Sequence, residues 1–473
     1  MASRARRDIR RNLLLILLAL LALGGLIALV GLVQGGPPPV LLPEQRAEFL
    51  QRRANPADNG FADLTAAWTA LAALGPVPKC DDLLATQKVQ LQRSMHPGNL
   101  LDTFSSLGRF LGATTFCPND DPRFREYMDK SEPVLAAVQA ALAKPYILHT
   151  RSTLTPDAQE TDSLEPLRGL LRHLTALAIY KSTVTADTER ATGIIKDAIA
   201  VCQKIEASGS YDLNIADPHH GGPRDPQNFF RAGLGSTAGY PWRAIPAIAK
   251  YAVDRKDPLD ALLELTRPAL EDPPDRSALL LAYCMMLDDV MTGVDAPPDL
   301  RFDKRMLMAV SNRFARRDAR IMVEREAEVR EAVNGPLREY AKKIRVVAGE
   351  RGFFGPKFMG LQTALMNVTS VQEARTIMVG LAVRLEAFRK GHGDYPEKLE
   401  ELAPQYLSKI PVHPLSGDPL VYKKSKEGYV LSENGAPNMP DMHGMRFRED
   451  ISIDMRVFAV TAPPVPAPTP PPN

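Results

Sequence analysis

Asp217, His219, His220 and Asp225 stand close together in "NIADPHHGGPRDPQNFF" (214–230), with Arg224 among them. Carboxylates and imidazoles are the donors that hold a transition metal, and a neighbouring guanidinium suits an anionic substrate. On that chemistry the chain would be a periplasmic metal-dependent hydrolase using Asp217, His219 and His220. The spacing departs from the HExxH arrangement that sets two histidines on one helix face, and adjacent histidines in extended chain point opposite ways. A structural loop, polar because it is rich in Pro and Gly, is the competing reading.

Elsewhere the chemistry-bearing residues are dispersed. His96, His149, His392, His413 and His443 each stand beside Pro, Gly or Thr in expected loops, and His173 borders an apolar helical stripe. No GxSxG elbow, Walker motif or dinucleotide fingerprint occurs, and "GLGSTAG" (233–239) lacks the Lys-Ser/Thr ending of a phosphate loop. The balance leans towards a protein that is not an enzyme. A formal net charge of +2 in 473 residues argues against a dedicated nucleic-acid partner.

The elements that must position these residues begin with a membrane segment. Arg4, Arg6, Arg7, Arg10 and Arg11 precede an unbroken apolar run from Leu13 to Val33. As a helix rising ~1.5 Å per residue, that run matches a hydrocarbon core of roughly 30 Å. A secretory signal would have a shorter apolar region and a small-x-small cleavage site, whereas this run exits through Gln34, Gly35, Gly36 and Pro37–Pro39. The expectation is an uncleaved single-pass anchor in the bacterial inner membrane. The arginines keep the N-terminus cytoplasmic and send the rest of the chain into the periplasm.

Four cysteines, Cys80, Cys117, Cys202 and Cys284, then fall on the exported side, none in a CxxC pair. Cys80 and Cys117 sit in Pro-rich loops and are the candidates for one disulfide, while Cys202 and Cys284 lie in apolar helical stretches that suit a buried free thiol.

Beyond the linker the periodicity is helical. "ADLTAAWTALAALG" (62–75) reads as a helix closed by Gly75. "SEPVLAAVQAALAK" (131–144) reads as a second, with Ser131 as N-cap. Leu167, Leu170, Leu171, Leu174, Leu177 and Ala178 form one stripe. Ala191, Ile194, Ile195, Ala198, Val201, Cys202 and Ile205 form another, so the two segments predict a helical hairpin, tetratricopeptide-like in shape. Residues 207–250 read as a loop. Helices resume over 257–271 and 276–294, and 303–334 reads as a charged helix.

Near the end, Val371, Ala374, Met378, Leu381, Leu385 and Phe388 mark an apolar seam, broken by "KGHGDYP", with Pro396 opening a short helix that carries Leu399 and Leu402. "PLVYKK", "GYVLS" and "DISIDMRVF" are the strand signals, all after residue 415, and predict a small antiparallel sheet on that seam. "APPVPAPTPPPN" is a Pro-rich tail.

From Gly380 the order Phe388, Gly393, Tyr395-Pro396, Leu399, Leu402, Tyr406-Leu407, Ile410-Pro411, Pro414, Gly417, Pro419, Tyr422, Gly428-Tyr429, Gly435 resembles the periplasmic module of the major, G-type pseudopilins of type II secretion. The resemblance implies a small α+β module and a link to secretion. It also implies calcium ligands in the segment after the second strand, where Glu433, Asp441, Glu449 and Asp450 stand. Met439, Met442 and Met445 dilute that pattern, and an exposed acidic loop is the alternative. The chain departs from a pseudopilin in lacking a prepilin-peptidase site and an early glutamate before the apolar run, which argues against assembly into a pseudopilus.

The expected organisation is mainly α: a cytoplasmic basic segment (1–12), a transmembrane anchor (13–34) and a linker (35–60), then an extracytoplasmic helical body (61–350). A long helix with a pseudopilin-like α+β module (351–460) and a disordered tail (461–473) complete it. The expected function is a membrane-anchored binding or scaffold protein of the bacterial envelope, with an envelope protein as partner.

Overall fold

The computed structural model describes residues 16–26, 43–75, 122–152, 165–183, 185–213, 230–232, 239–252, 256–271, 276, 281, 355–414, 417–425, 428–432 and 452–454. The fold is mainly helical. Its helices are α1 (Pro43–Ala54), α2 (Phe61–Ala73), α3 (Pro122–Ser131), α4 (Val134–Ala143), α5 (Glu165–Thr183), α6 (Thr188–Ala207), α7 (Gly239–Ala252), α8 (Lys256–Thr266), α9 (Pro268–Glu271) and α10 (Gly355–His392). The strands are β1 (Thr150–Ser152), β2 (Tyr211–Leu213), β3 (Phe230–Ala232), β4 (Val421–Ser425), β5 (Gly428–Ser432) and β6 (Ser452–Asp454).

The helical hairpin forms where its two stripes require it. α5 and α6 pack on each other, and every residue of both predicted stripes is buried. Asp187 caps α6 by accepting a hydrogen bond from the Arg190 amide at 3.0 Å, and Ala186 turns the chain at φ +56°. α2 and α4 close one side of this pair, and α7 lies across both of its helices. The close approach of α2 to α5 depends on Gly169, where an added Cβ would stand 2.2 Å from the Trp68 ring. Cys202 is a buried free thiol, as its apolar setting predicts, and burial pushes its pKa well up.

α10 runs through the middle of the fold. It packs on α7, α8 and α9 along one side and on β5, β6 and the 3-10 turn Leu399–Leu402 along another. Residues 378–388 are consequently buried around the whole helix, polar ones included. β4, β5 and β6 make an antiparallel sheet in that order, with Tyr422 opposite Leu431 and Leu431 opposite Ile453. Tyr429 is completely buried over α10, its hydroxyl reaching the Ala382 carbonyl at 3.4 Å. The predicted seating of the sheet on the helical seam is therefore present.

Several local expectations give way. Ser131 ends α3 instead of capping α4, because its hydroxyl turns back to the Met128 carbonyl at 2.7 Å. Residues 207–250 hold more than a loop: β2, β3 and α7 all form there. Strands also occur well before residue 415, since β1 runs parallel to β2 and β3 antiparallel to it. Their three-residue length leaves no periodicity to read. Pro268 ends the continuous helix expected over 257–271, giving α8 and α9. α10 continues to His392 through the predicted break, and Gly393, at φ +84°, stops it. Pro396 opens no helix; Leu399–Leu402 is a single 3-10 turn that still buries Leu399 and Leu402.

Residues 16–26 of the predicted anchor are helical. Among the described residues, no helix is long and apolar enough to cross a membrane. The remainder of the run 13–34, the charged segment 303–334 and the Pro-rich tail lie outside the described residues.

Candidate functional site

Several buried polar side chains among the described residues lie along α10. At its C-terminal end, Glu386 has no exposed surface. The Tyr395 hydroxyl donates to its Oε1 at 2.8 Å, while Arg389 donates to Oε2 from Nε at 3.0 Å and from Nη2 at 2.9 Å. Both carboxylate oxygens are thus held, which a buried carboxylate requires. Arg389 also lies 5.3 Å from the Tyr395 ring centre. Burial, then the charge of Glu386, pushes the Tyr395 phenol far above its usual range. Tyr422 closes the edge of the cluster, its hydroxyl donating to the Pro396 carbonyl at 2.8 Å.

One helical stretch earlier, Arg384 points to the other side of α10. Its guanidinium donates to the Leu263 carbonyl at 3.0 Å and to the Thr266 hydroxyl, in the last turn of α8. A cation suits a helix C-terminus, where unpaired carbonyls concentrate negative potential. Burial lowers its pKa to about 10, so it remains charged at neutral pH. Arg384 and Glu386, two residues apart, therefore fasten α10 to the body and to the loop that leads into the terminal sheet respectively.

A third group lies where α6 ends. Arg276 is 4% exposed and grips Glu373 of α10 in bidentate fashion, Nε to Oε1 at 2.7 Å and Nη2 to Oε2 at 2.6 Å. Glu206, in the last turn of α6, is close enough to Glu373 to feel its charge. Burial, followed by that repulsion, raises its pKa to about 7. Residue 206 keeps exposed surface, so the carboxyl can exchange its proton with solvent. The sequence reading missed this group because Glu206 and Glu373 lie on polar flanks of their helices and meet only through tertiary packing.

His173 occupies a closed pocket. Ser131 spends its proton on the Met128 carbonyl, so the Ser131 oxygen accepts from His173 Nε2–H at 2.7 Å. The tautomer is thereby fixed, and full burial lowers the imidazole pKa to about 4. This is a neutral, packed histidine, as its position beside the stripe suggests. His392 ends α10, stacked on Phe388 with ring centres 4.0 Å apart, and is not a loop residue. His149 and His413 are buried.

The predicted metal ligands Asp217, His219 and His220, with Asp225, lie outside the described residues. Their flanks are placed: Leu213 of β2 pairs with Phe230 of β3, so the segment 214–229 leaves and returns at one point, and β3 touches α10. The calcium candidates Glu433, Asp441 and Asp450 lie outside the described residues, as do Cys80 and Cys117. Among the described residues, no group of three or more His, Cys, Asp or Glu side chains could hold a metal ion. Comparison of the chain with protein families, with curated proteins and with solved structures returns no match.

Proposed function

We propose that this chain is a membrane-anchored, extracytoplasmic scaffold of the bacterial envelope, with a helical body and a terminal pseudopilin-like module that contact an envelope protein. The observation that carries the reading is the state of residues 16–26. Ile16, Leu17, Leu18, Leu20, Leu21, Leu23 and Leu26 are 52–64% exposed on a helix that none of the described residues covers. Leaving that much apolar surface in water is unfavourable by about 25 cal/mol per Å², and a bilayer removes it. The arginine cluster ahead of the run supports an N-terminus in the cytoplasm.

The scaffold half of the reading leans on α10. Arg384, Glu386 and Glu373 hold three neighbours to one helix, so a load on the terminal sheet is passed to the body through buried bonds instead of a free linker. The resemblance of residues 380–435 to G-type pseudopilins supports a role beside secretion machinery.

Fractionation tests the location. The full chain should stay in the membrane pellet after alkaline carbonate, and its body should be cut by protease added to spheroplasts but not to intact cells. Release by carbonate, or protection in spheroplasts, would overturn the anchored, exported reading. In-cell photo-crosslinking from Val412, an exposed apolar residue of the module, tests the partner. A discrete heteromeric adduct is expected, and recovery of the uncrosslinked chain alone would sink the scaffold.

A further inference from the structure

The hold of the body on the incoming chain changes abruptly at Asn59. From there on the chain is clamped. Asn59 Nδ2 donates to the Leu148 carbonyl at 2.7 Å, and Asn59 Oδ1 accepts from the Leu148 and Phe61 amides at 2.9 and 3.0 Å. The Gly60 amide donates to the Tyr146 carbonyl at 2.9 Å, and an added Cβ at Gly60 would stand 2.5 Å from the Ala141 carbonyl oxygen. The start of α2 is thus pressed against the end of α4.

Ahead of Asn59 the hold is slight. Phe49 is buried against Gly209, beside Leu281, whereas residues 47, 48, 50, 51, 53 and 54 of α1 are exposed. Arg52 Nη1 donates to the Ala207 carbonyl at 3.5 Å, and the Tyr146 hydroxyl donates to the Arg52 and Asn55 carbonyls. The Arg52–Glu48 ion pair lies within α1 and adds no tie to the body. Asn55, Pro56, Ala57 and Asp58, which join α1 to the clamp, are all exposed, and Lys144 Nζ reaches the Ala57 carbonyl at 3.0 Å.

A helix as short as α1 is marginal by itself in water, so its persistence depends on this docking. An element that buries so little apolar surface opens locally at a far smaller cost than the core does. Its position gives that opening a consequence. Residues 34–42 alone separate the apolar run from Pro43. Fully extended, so few residues reach about 30 Å. With α1 released and unwound, the free chain runs from 34 to 58 and reaches about 80–90 Å.

We propose that α1 is a releasable strut, pinned by Phe49 and hinged at Asn55–Asp58, that sets how far the body stands from the membrane. This inference rests on the anchor reading. Docked, α1 keeps the body close to the bilayer. A pull on the body away from the membrane favours the released form, because release lengthens the tether while the clamp at Asn59 and Gly60 keeps the fold shut.

The test uses the full chain in nanodiscs of phosphatidylcholine with phosphatidylglycerol. Hydrogen exchange should be about 100-fold faster in α1 than in α6. Phe49→Ala should speed exchange in α1 by about tenfold or more and leave α6 unchanged. Tyr146→Phe, which keeps the ring and removes the hydroxyl, should act in the same direction. A donor dye at Ala140, exposed on α4, should lose energy transfer to acceptor headgroups in both variants. A donor at Leu20 should transfer equally in all three proteins. Exchange in α1 as slow as in α6, or acceleration that spreads equally to α6, would make α1 part of the core and overturn the strut. Faster exchange in α1 with unchanged transfer from 140 would overturn its control of distance. Absence of transfer from 20 in the unmodified chain would remove the anchor itself.

Discussion

The Tyr395 hydroxyl and the Glu386 carboxylate meet at 2.8 Å across the end of α10, and Glu386 is sealed from solvent at the point where they meet. One partner belongs to the helix and the other to the loop that leads into the terminal sheet. The bond therefore holds the module to the helix in one orientation, with Arg389 neutralising the charge from the remaining side.

Tyr395→Phe should weaken that hold while preserving the ring packing against Tyr429, whose centre lies 5.0 Å away. The carboxylate keeps Arg389 but loses one donor, a loss that typically costs about 1–3 kcal/mol for a buried acceptor. Chemical denaturation should show the loss. A Glu386→Gln, Tyr395→Phe double variant should cost less than the two single changes added together, because they share one bond. Additive costs would mean that the bond contributes little.

Gly169→Ala tests the crossing of α2 and α5. The new methyl would lie 2.2 Å from two atoms of the Trp68 ring, far inside contact distance. A packed indole cannot swing aside as a lysine tip can, so overpacking of about 1–3 kcal/mol is expected. The Trp68 emission should shift in the same variant. Trp68→Leu in the Gly169→Ala background should recover part of the loss; failure to recover would place the strain elsewhere.

Glu206 and His173 pull the pH dependence of stability in opposite directions. Glu206 has a raised pKa, about 7 against 4.5, so the folded chain holds a proton that the unfolded chain has released. Its contribution is full below about pH 4.5 and fades as pH rises through 7. His173 has a lowered pKa, about 4 against 6.5, so its contribution is full above about pH 6.5 and fades as pH falls through 4. Between about pH 4.5 and 6.5 the two slopes oppose each other. Glu206→Gln should leave stability rising with pH across that window, at a slope approaching about 1.4 kcal/mol per unit from the closed His173 pocket. His173→Gln should leave it falling. Urea midpoints for the two variants across the window check this, and parallel curves would refute the assignment of either group.

Much of this fold was written in hydrophobic spacing. The α5–α6 stripes, the α10 seam and the β4–β5 hairpin are long or regular enough for periodicity to place them, and the stripes, the seam from Ala374 to Phe388 and Tyr429 and Leu431 of β5 are buried. What spacing could not convey was that α10 is covered on opposite sides. Arg384 and Glu386 look like solvent residues beside a seam, and only packing by α8 on one side and Tyr395 on the other turns them into buried anchors. The short strands β1 to β3 likewise exist because tertiary contacts bring them together. The Glu206–Glu373 pair joins residues far apart in the chain, which no local motif announces.

Arg276 and Glu373 allow a stricter test of what these polar anchors contribute. The pair is 4% and 16% exposed and is bonded at both oxygens, so removing one partner leaves the other uncompensated. Arg276→Met alone should cost about 3–5 kcal/mol, since it strands a largely buried carboxylate. Arg276→Met with Glu373→Leu should cost much less, because no charge is then left behind and the apolar pair still fills the volume. The same double variant removes the neighbour whose charge lifts Glu206, so the Glu206 carboxyl should titrate lower while remaining above the ordinary range, burial being its larger cause. Carboxyl NMR of Glu206 reads that shift directly. An unchanged Glu206 titration would mean that Glu373 does not face it, and burial alone would then account for the raised pKa.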